Sequence, residues 1–372
     1  MIIKDVSIRC CRHLPDGFAN GKLKSTSDGS LEFLVVTLTT ECGRTASMFG
    51  FAGKSAIGAG HLSFSAFATF LRGKNALNRE QIWHEWRTAN RWWHHLPVYS
   101  YGPVDICLWL LASQHAKQPL WQYIGGFRKD IPVYASSLVL DSAEEYAREA
   151  LEVKNAGLHA YKIHPPGNSV NEDIEIHQAV REAVGPDFTL MSDPVAPYGY
   201  QQALSLGRAL ERLNYAWLEE PLPDAALTML KRLRENLSIP LVGAEVIAEH
   251  PYSVAECIKA DVLDAVRADV SWSGGVTGVL KTARLAESFN MNCELHSTIF
   301  HPLEMVNMHL CGAIQNNSYL ELLWPLETFD FGLKASLPVS GGFASLPETP
   351  GLGIELDWDL IDGSTICTIN QK

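Results

Sequence analysis

The chain has 372 residues, of which 47% are apolar, 19% charged and 9% aromatic, a composition that buries a core and excludes intrinsic disorder. Its 42 acidic residues against 30 Lys and Arg leave a formal net charge of −12, which argues against nucleic acids or anionic membranes as general partners, since phosphates select basic surfaces. At about 150 residues per domain the length suggests two or three domains, or one barrel of about 250 residues with a smaller companion.

In chain order, residues 2–10 and 31–38 read as β-rich runs, and the segment between them carries Pro15, Gly17, Gly21 and Gly29 and reads as a polar loop. A second Gly-rich stretch covers 50–60, and helical patterns follow over 63–71, 79–93 and 103–118. From Ile131 onward short apolar runs alternate with amphipathic segments. The runs are 133–137, 160–163, 189–192, 216–218, 241–243, 265–268, 293–295 and 319–320; the helices between them are 142–155, 172–184, 200–213, 225–235, 253–260, 275–288 and 302–314. This alternation, repeating roughly every 26 to 30 residues, indicates a parallel α/β architecture.

A barrel is favoured over an open doubly wound sheet. No GxGxxG opens the first helix, and polar residues end many successive strands, which in a barrel all face one mouth. The tail after Phe331, with its apolar 365–369 run, is expected to pack back on the N-terminal part. The expected division is 1–128, an N-terminal α+β domain; 129–330, the barrel; and 331–372, the returning segment.

The eight cysteines are scattered without a CxxC pair and no secretory leader is read ahead of them, so a reduced, cytoplasmic chain is expected. Adjacent Cys10 and Cys11 read as packing. No apolar run approaches about 20 residues, so no membrane span is expected.

The residues at the strand ends carry the chemistry. The second strand leads into Lys162-Ile163-His164, the third into Asp193, the fourth Glu219-Glu220, the fifth Glu245, the sixth Asp269, the seventh His296 and the eighth Glu321. Lys162 and His164 are two apart and share a face. Asp193, Glu219 and Glu245 are spaced by 26 residues, one β/α unit each, so three carboxylates from adjacent strands meet. Such a group stays ionised only beside a cation, and an all-oxygen donor set suits Mg²⁺.

Taken singly, each residue has a plainer reading. A carboxylate before Pro221 suits a helix entry or salt bridge, Asp269 an N-cap and His296 a capped turn, and Glu220 reads as structural; their joint occurrence is what favours chemistry.

Asp269 beside His296 would orient the imidazole and raise its basicity, with Lys162 and His164 across the mouth. A carboxylate substrate chelating Mg²⁺ would have an acidified α-proton, and its removal gives an enediolate. Glu321 is expected to be the stabilising acid if burial keeps it protonated. Reprotonation from the other face gives racemisation or epimerisation; loss of a β-hydroxyl gives a 2-keto-3-deoxy acid.

These residues resemble the mandelate racemase subgroup of the enolase superfamily (the mandelate racemase/muconate lactonizing enzymes), over nearly the whole chain. The matching segments are Tyr101-Gly-Pro-Val-Asp105 to Gly126, Tyr161-Lys-Ile-His164, Asp193, Trp217-Leu-Glu-Glu-Pro221, Gly243-Ala-Glu245, Asp269 with Gly274-Gly-Val-Thr-Gly278, Glu294-Leu-His296 and Leu320-Glu321. The resemblance implies a (β/α)7β TIM-like barrel with an N-terminal α+β capping domain completed by the C-terminal segment. It makes Asp193, Glu219 and Glu245 the Mg²⁺ ligands, Asp269 and His296 a dyad and Glu321 the electrophilic donor. It also makes the loops at 12–25 and 50–60 the cap loops that choose the substrate, with His13, Asp16, Lys22, Lys24 and Lys54 as candidate contacts.

Two positions depart from the subgroup. His164 stands where a second Lys is usual, and Val195 where an Asn is usual; Trp272 occupies the place of the Lys that marks the muconate-lactonising subgroup. The expected activity is a Mg²⁺-dependent acid-sugar dehydratase, a hydro-lyase of carbohydrate catabolism. In it His164, or else Lys162, takes the α-proton, Lys162 polarises the carboxylate and His296 protonates the leaving hydroxyl.

A racemase, epimerase or sugar-lactone cycloisomerase using the same enolate is the alternative, and a non-catalytic enolase-fold binding protein a third reading. The expected partner is a small-molecule carboxylate, and homo-oligomers are the family's habit. The cluster Trp92-Trp93-His94-His95 suits a polyhydroxylated ligand, or an interface or core edge.

Overall fold

The computed structural model describes residues 1–15 and 29–371. In strand β1 (Ile3–His13) Val6, Ile8 and Cys10 alternate inward, and a register slip after Cys10 buries Cys11 as well. β1 pairs antiparallel with β2 (Leu31–Thr40), which pairs with β3 (Thr45–Phe51). Helices α1 (Ala56–Leu71), α2 (Arg79–Ala89), α3 (Gly102–His115) and α4 (Leu120–Ile124) follow.

The Gly-rich stretch expected to be a cap loop is mostly not one. Gly50 lies in β3, and α1 begins at Ala56, capped by Ser55 Oγ accepting from the Gly58 N–H at 3.1 Å. Gly60 is inside α1 because a Cβ there would lie 2.4 Å from Cys10 Sγ; the glycine serves close packing of helix on sheet. The pattern over 79–93 also divides, since α2 ends at Ala89 and a π-helical turn covers Asn90–His94.

Then comes the repeating unit: β4 (Asp130–Ser136), α5 (Ala143–Asn155), β5 (Ala160–Ile163), α6 (Val170–Val184), β6 (Thr189–Ser192), α7 (Tyr200–Arg212), β7 (Leu218–Glu219) and α8 (Leu227–Arg234). It continues through β8 (Leu241–Gly243), α9 (Tyr252–Ala260), β9 (Ala265–Ala268), α10 (Val276–Ser288), β10 (Asn292–Leu295), α11 (His301–Cys311) and β11 (Leu320–Leu323). Strands β4 to β10 pair in parallel in chain order, and β11 returns to pair with β4, giving the (β/α)7β barrel. Its interior is filled by Tyr134, Ala160, Met191, Trp217, Val242 and Ala265. Between β10 and β11 side chains bridge the seam: Glu294 accepts from Asn317 Nδ2, Ser318 N and Ser318 Oγ.

The segment after 330 is divided rather than given wholly to the cap. The hairpin β12 (Val339–Ser340) and β13 (Phe343–Ser345) pairs with the start of β4, where backbone groups below the barrel ladder are still open. After α12 (Trp358–Ser364), β14 (Thr365–Asn370) pairs antiparallel with β1 and completes a four-stranded sheet ordered β14-β1-β2-β3.

Cap and barrel are joined at Asp105 of α3, which accepts from Thr277 N at 2.8 Å and Thr277 Oγ1 at 2.7 Å at the start of α10. Gly275 (φ 93) lets this helix start come close, since a Cβ would lie 2.5 Å from that of Asp105. Among the described residues no helix is long and apolar enough to cross a membrane.

Candidate metal centre and active site

Because β5 to β8 are neighbours, the side chains at their C-terminal ends converge. One carboxylate oxygen each from Asp193, Glu219 and Glu245 lies within 4.8 Å of the others, and all three residues are buried. Under them sit two fully buried cations. Lys162 Nζ lies 3.0 Å from Asp193 Oδ2, 3.1 Å from Glu219 Oε1 and 2.9 Å from Glu321 Oε1. Arg267 Nε lies 2.9 Å from Glu219 Oε1 and 3.9 Å from Glu245 Oε2, and Arg267 Nη2 donates to Glu321 Oε2. Burial opposes the charge on Lys162, but Glu219 and Glu321 outweigh it and hold the ammonium well above its ordinary range.

The triad fits a hard divalent cation. Glu245 Oε2 is buried without a hydrogen-bond partner. Burial, with Asp193 and Glu219 close by, pushes the Glu245 carboxyl up to about 7 even though His296 pulls the other way. With Asp269 set against His296, the four carboxylates of Asp193, Glu219, Glu245 and Glu321 face two permanent cations, and one divalent ion would meet the shortfall. An all-carboxylate donor set selects Mg²⁺-like ions over softer ones.

The two histidines approach this centre from opposite ends. On the β5 side, the His164 backbone N–H donates to Ser137 Oγ at 2.9 Å and its Nδ1 lies 2.7 Å from the Ser137 carbonyl. A carbonyl only accepts, so Nδ1 carries the proton and Nε2, 3.1 Å from Asp193 Oδ2, faces the site. Burial lowers this imidazole's affinity for a second proton, but Asp193 prevails and raises it above its ordinary value.

On the β9 and β10 side, His296 Nδ1 lies 2.9 Å from Asp269 Oδ2 and its Nε2 is 3.6 Å from Glu245 Oε2. Against burial, Glu245 and Asp269 push His296 up to about 10. Asp269 is both a cap and a dyad partner: Oδ1 accepts from the Ser271 and Trp272 N–H groups, and Oδ2 holds the imidazole.

Other strand-end residues are supports. Glu220 (φ 38) accepts the Glu245 N–H at 3.1 Å, and burial together with Glu245 pushes its carboxyl up to about 9. Where an Asn was absent, the Val195 N–H donates to Asp193 Oδ1 at 3.1 Å instead, with Val195 in the left-handed region at φ 58.

Glu321 differs from expectation. Three donors address its carboxyl, from Lys162, Arg267 and the Ser297 N–H at 3.2 Å. Although burial alone would raise it, Lys162 and Arg267 hold it well below the usual carboxylate range. Its burial comes with two cations, Lys162 and Arg267, against its carboxyl oxygens.

Arg267 and Ser137 were not singled out from the sequence, and Trp217 was named only within a matching segment. Trp217 Nε1 donates to Glu219 Oε2 at 3.0 Å. Arg267 stands two before Asp269 and Trp217 two before Glu219, so strand alternation held the signal.

His13 ends β1 with its ring 4.7 Å from that of Phe331, Lys54 is exposed between β3 and α1, and Asp16, Lys22 and Lys24 lie outside the described residues. Trp92 and Trp93 are exposed on the π-helical turn, and His94 stacks on Trp86 of the cap at 5.4 Å. His95 lines a cavity together with Val246, Ile247 and Trp272, which follow the strand-end residues Glu245 and Asp269.

Comparison with known proteins bears on this geometry. A family model described as Enolase C-terminal domain-like matches residues 145–360. The 3,6-anhydro-alpha-L-galactonate cycloisomerase of Streptomyces coelicolor is 31% identical over 299 residues, 78% of this chain and 79% of that protein. The arabinonate dehydratase of Saccharolobus solfataricus is 29% identical over 263 residues, 69% and 70% of the two chains. Among solved structures, D-glucarate dehydratase from Agrobacterium tumefaciens complexed with magnesium superposes with a TM-score of 0.87 at 32% identity, covering 99% of this chain and 100% of that one.

Proposed function

The chain belongs to the enolase C-terminal domain-like family, within the enolase superfamily, and from this premise we propose that it is a Mg²⁺-dependent dehydratase of acid sugars. The observation that supports this most is the carboxylate triad set between two imidazoles, each presenting Nε2 from an opposite end. Asp193, Glu219 and Glu245 would hold Mg²⁺, which when bound polarises a substrate carboxylate and acidifies its α-proton.

The chain's own residues do the rest. His164 Nε2 accepts the α-proton, its ring fixed through Nδ1 by Ser137. Lys162 directs its ammonium at the substrate carboxylate. His296, favoured in its protonated form by Glu245 and Asp269, hands a proton from Nε2 to the departing β-hydroxyl, so water leaves and the resulting enol takes a proton at C3 and loses its C2 hydroxyl proton to become a 2-keto-3-deoxy acid. We keep His13, Lys22, Lys24 and Lys54 as candidates for choosing the substrate. A cytoplasmic homo-oligomer is part of the same reading, supported by eight cysteines that are all free thiols and by the family's habit.

A racemase or lactone cycloisomerase is the second reading, favoured by the 31% identity to a cycloisomerase. Incubation with aldonates, aldarates and their lactones in D₂O with Mg²⁺ separates the two. A 2-keto product is expected; α-deuterium incorporation with no keto product would move the protein to the second reading. Absence of both exchange and Mg²⁺ binding would leave a non-catalytic binding protein.

A further inference from the structure

We propose that Cys10 of β1 and Cys367 of β14 are a thiol pair that a low-molecular-weight disulfide closes into a cross-strand cystine, fastening the last strand of the chain to the first. The two residues stand directly opposite each other in the antiparallel ladder, just before the register shift that follows Cys10. Residues paired in this way have Cα atoms about 4.5 or 5.5 Å apart, within the span of about 4.4–6.8 Å that a disulfide needs. The bond can form without moving either strand.

Their side chains also share a face. On β14 Cys367 and Ile369 are covered while Ile366, Thr368 and Asn370 are exposed, and on β1 Ile8 and Cys10 are covered. Helix α1 lies over this face at Gly60, where a Cβ would come 2.4 Å from Cys10 Sγ and 3.2 Å from Ile369 Cδ1. Beneath it the two thiols hydrogen-bond with each other. Neighbouring Cys11 is turned elsewhere: the register shift skips Ile366 and pairs Cys11 with Thr365, and Cys11 Sγ lies 3.6 Å from Thr365 Oγ1 and 3.9 Å from the Ile361 carbonyl. Cys10 is thus the thiol that the ladder presents to Cys367.

The pair is open in this structure, where all eight cysteines are free thiols. Burial, with Cys367 and Cys11 alongside, pushes the Cys10 thiol up to about 12, whereas Cys367 is only half-buried and sits on an edge strand. A disulfide reagent therefore meets Cys367 first. The Cys367 thiolate attacks one reagent sulfur, the reagent S–S bond breaks and one thiolate leaves. Cys10 then gives up its proton and attacks the Cys367 sulfur, and the second thiolate leaves. Each leaving thiolate takes up a proton, so two protein thiols are oxidised to one cystine while the reagent is reduced to two thiols.

The bond would close a loop of roughly 350 residues and so restrict the unfolded chain more than a short loop does. It lies on the cap sheet, and its test needs no substrate.

The full chain carrying Cys42→Ser, which removes an exposed thiol, is treated under native conditions with oxidised glutathione. The intact mass should fall by two hydrogens, after a transient glutathione adduct on Cys367, and a digest should contain a Cys10–Cys367 cross-linked peptide. A lasting adduct on Cys367, or a cystine that joins another pair in preference, overturns the proposal. Cys367→Ser, at a half-buried position that tolerates a hydroxyl, and Cys10→Ala should each abolish the link, and Cys11→Ser should leave it. A link that survives Cys10→Ala and is lost in Cys11→Ser overturns the assignment. The melting midpoint of the oxidised chain should rise by roughly 5 °C and return on reduction with dithiothreitol. An unchanged or lower midpoint means that the bond does not fasten the native ladder.

Discussion

The two sides of the mouth each present an imidazole Nε2 to the same carboxylates, yet they are backed differently. His164 leans on the Ser137 carbonyl, a neutral dipole, whereas His296 leans on the Asp269 carboxylate, a full charge. A carboxylate behind an imidazole stabilises the imidazolium far more than a carbonyl does. The asymmetry therefore divides acid from base: the β5 side is suited to take a proton and the β9–β10 side to give one.

The largest effects should come from removing either imidazole. His296→Asn and His164→Asn are each expected to lower turnover by about 10²–10⁴, with Mg²⁺ binding by calorimetry retained because no triad ligand is lost. Their signatures should differ. Exchange of the substrate α-proton with D₂O should persist in His296→Asn and stop in His164→Asn; equal loss in both would break the comparison.

Replacing the backing groups should cost less. Asp269→Asn is expected to lower kcat by about 10–100-fold, because it removes one of the two carboxylates, with Glu245, that favour the protonated His296. Ser137→Ala, which leaves the carbonyl in place, should cost clearly less in the same assay.

Smaller effects belong to the supports. Beneath Asp193, buried His177 holds Ser192 Oγ at 2.7 Å through Nε2, with Nδ1 against the Asp173 carbonyl, and burial drives its pKa down to about 4. The folded imidazole is neutral, while the unfolded chain gains its proton from about pH 6.5 downward. Its contribution to stability is therefore full above that value and lost as pH falls toward 4. Thermal melts of His177→Gln should show a flatter dependence than wild type over this window.

The smallest effect concerns the lip of the His164 side. Val195→Asn should stabilise the protein by about 1 kcal/mol, because a β-branched residue is strained at φ 58 where Asn is tolerated. Unfolding in urea measures it.

Much of this centre was legible in the sequence because two periods suffice to find it. The β/α repeat placed Asp193, Glu219 and Glu245 on neighbouring strands, and the alternation within a strand set Lys162 and His164 on one face. The layer below was not, since only strand ends were read for chemistry; Arg267, two residues earlier on the same face as Asp269, was passed over as strand interior. The surroundings of Glu321 were misjudged for the same reason, since Lys162 was read as facing the substrate and Arg267 not at all, while both lie against its carboxyl. Glycine content misled over 50–60, where Gly60 serves helix-to-sheet contact with Cys10 rather than flexibility. The 339–345 hairpin was too short to carry a pattern of its own.

The pairing of β14 with β1 reaches beyond packing, to the order in which the molecule can assemble. Strands β1 to β3 are close in sequence and can meet early, but their edge partner lies some 350 residues away, so its loop-closure cost is met late. The cap sheet cannot be complete until residue 370 has been made, by which time every barrel strand is already available to fold. Premature chain termination would then leave a barrel holding its charged centre beneath a cap with an open edge. Such a product should be a target for degradation rather than a partly active enzyme.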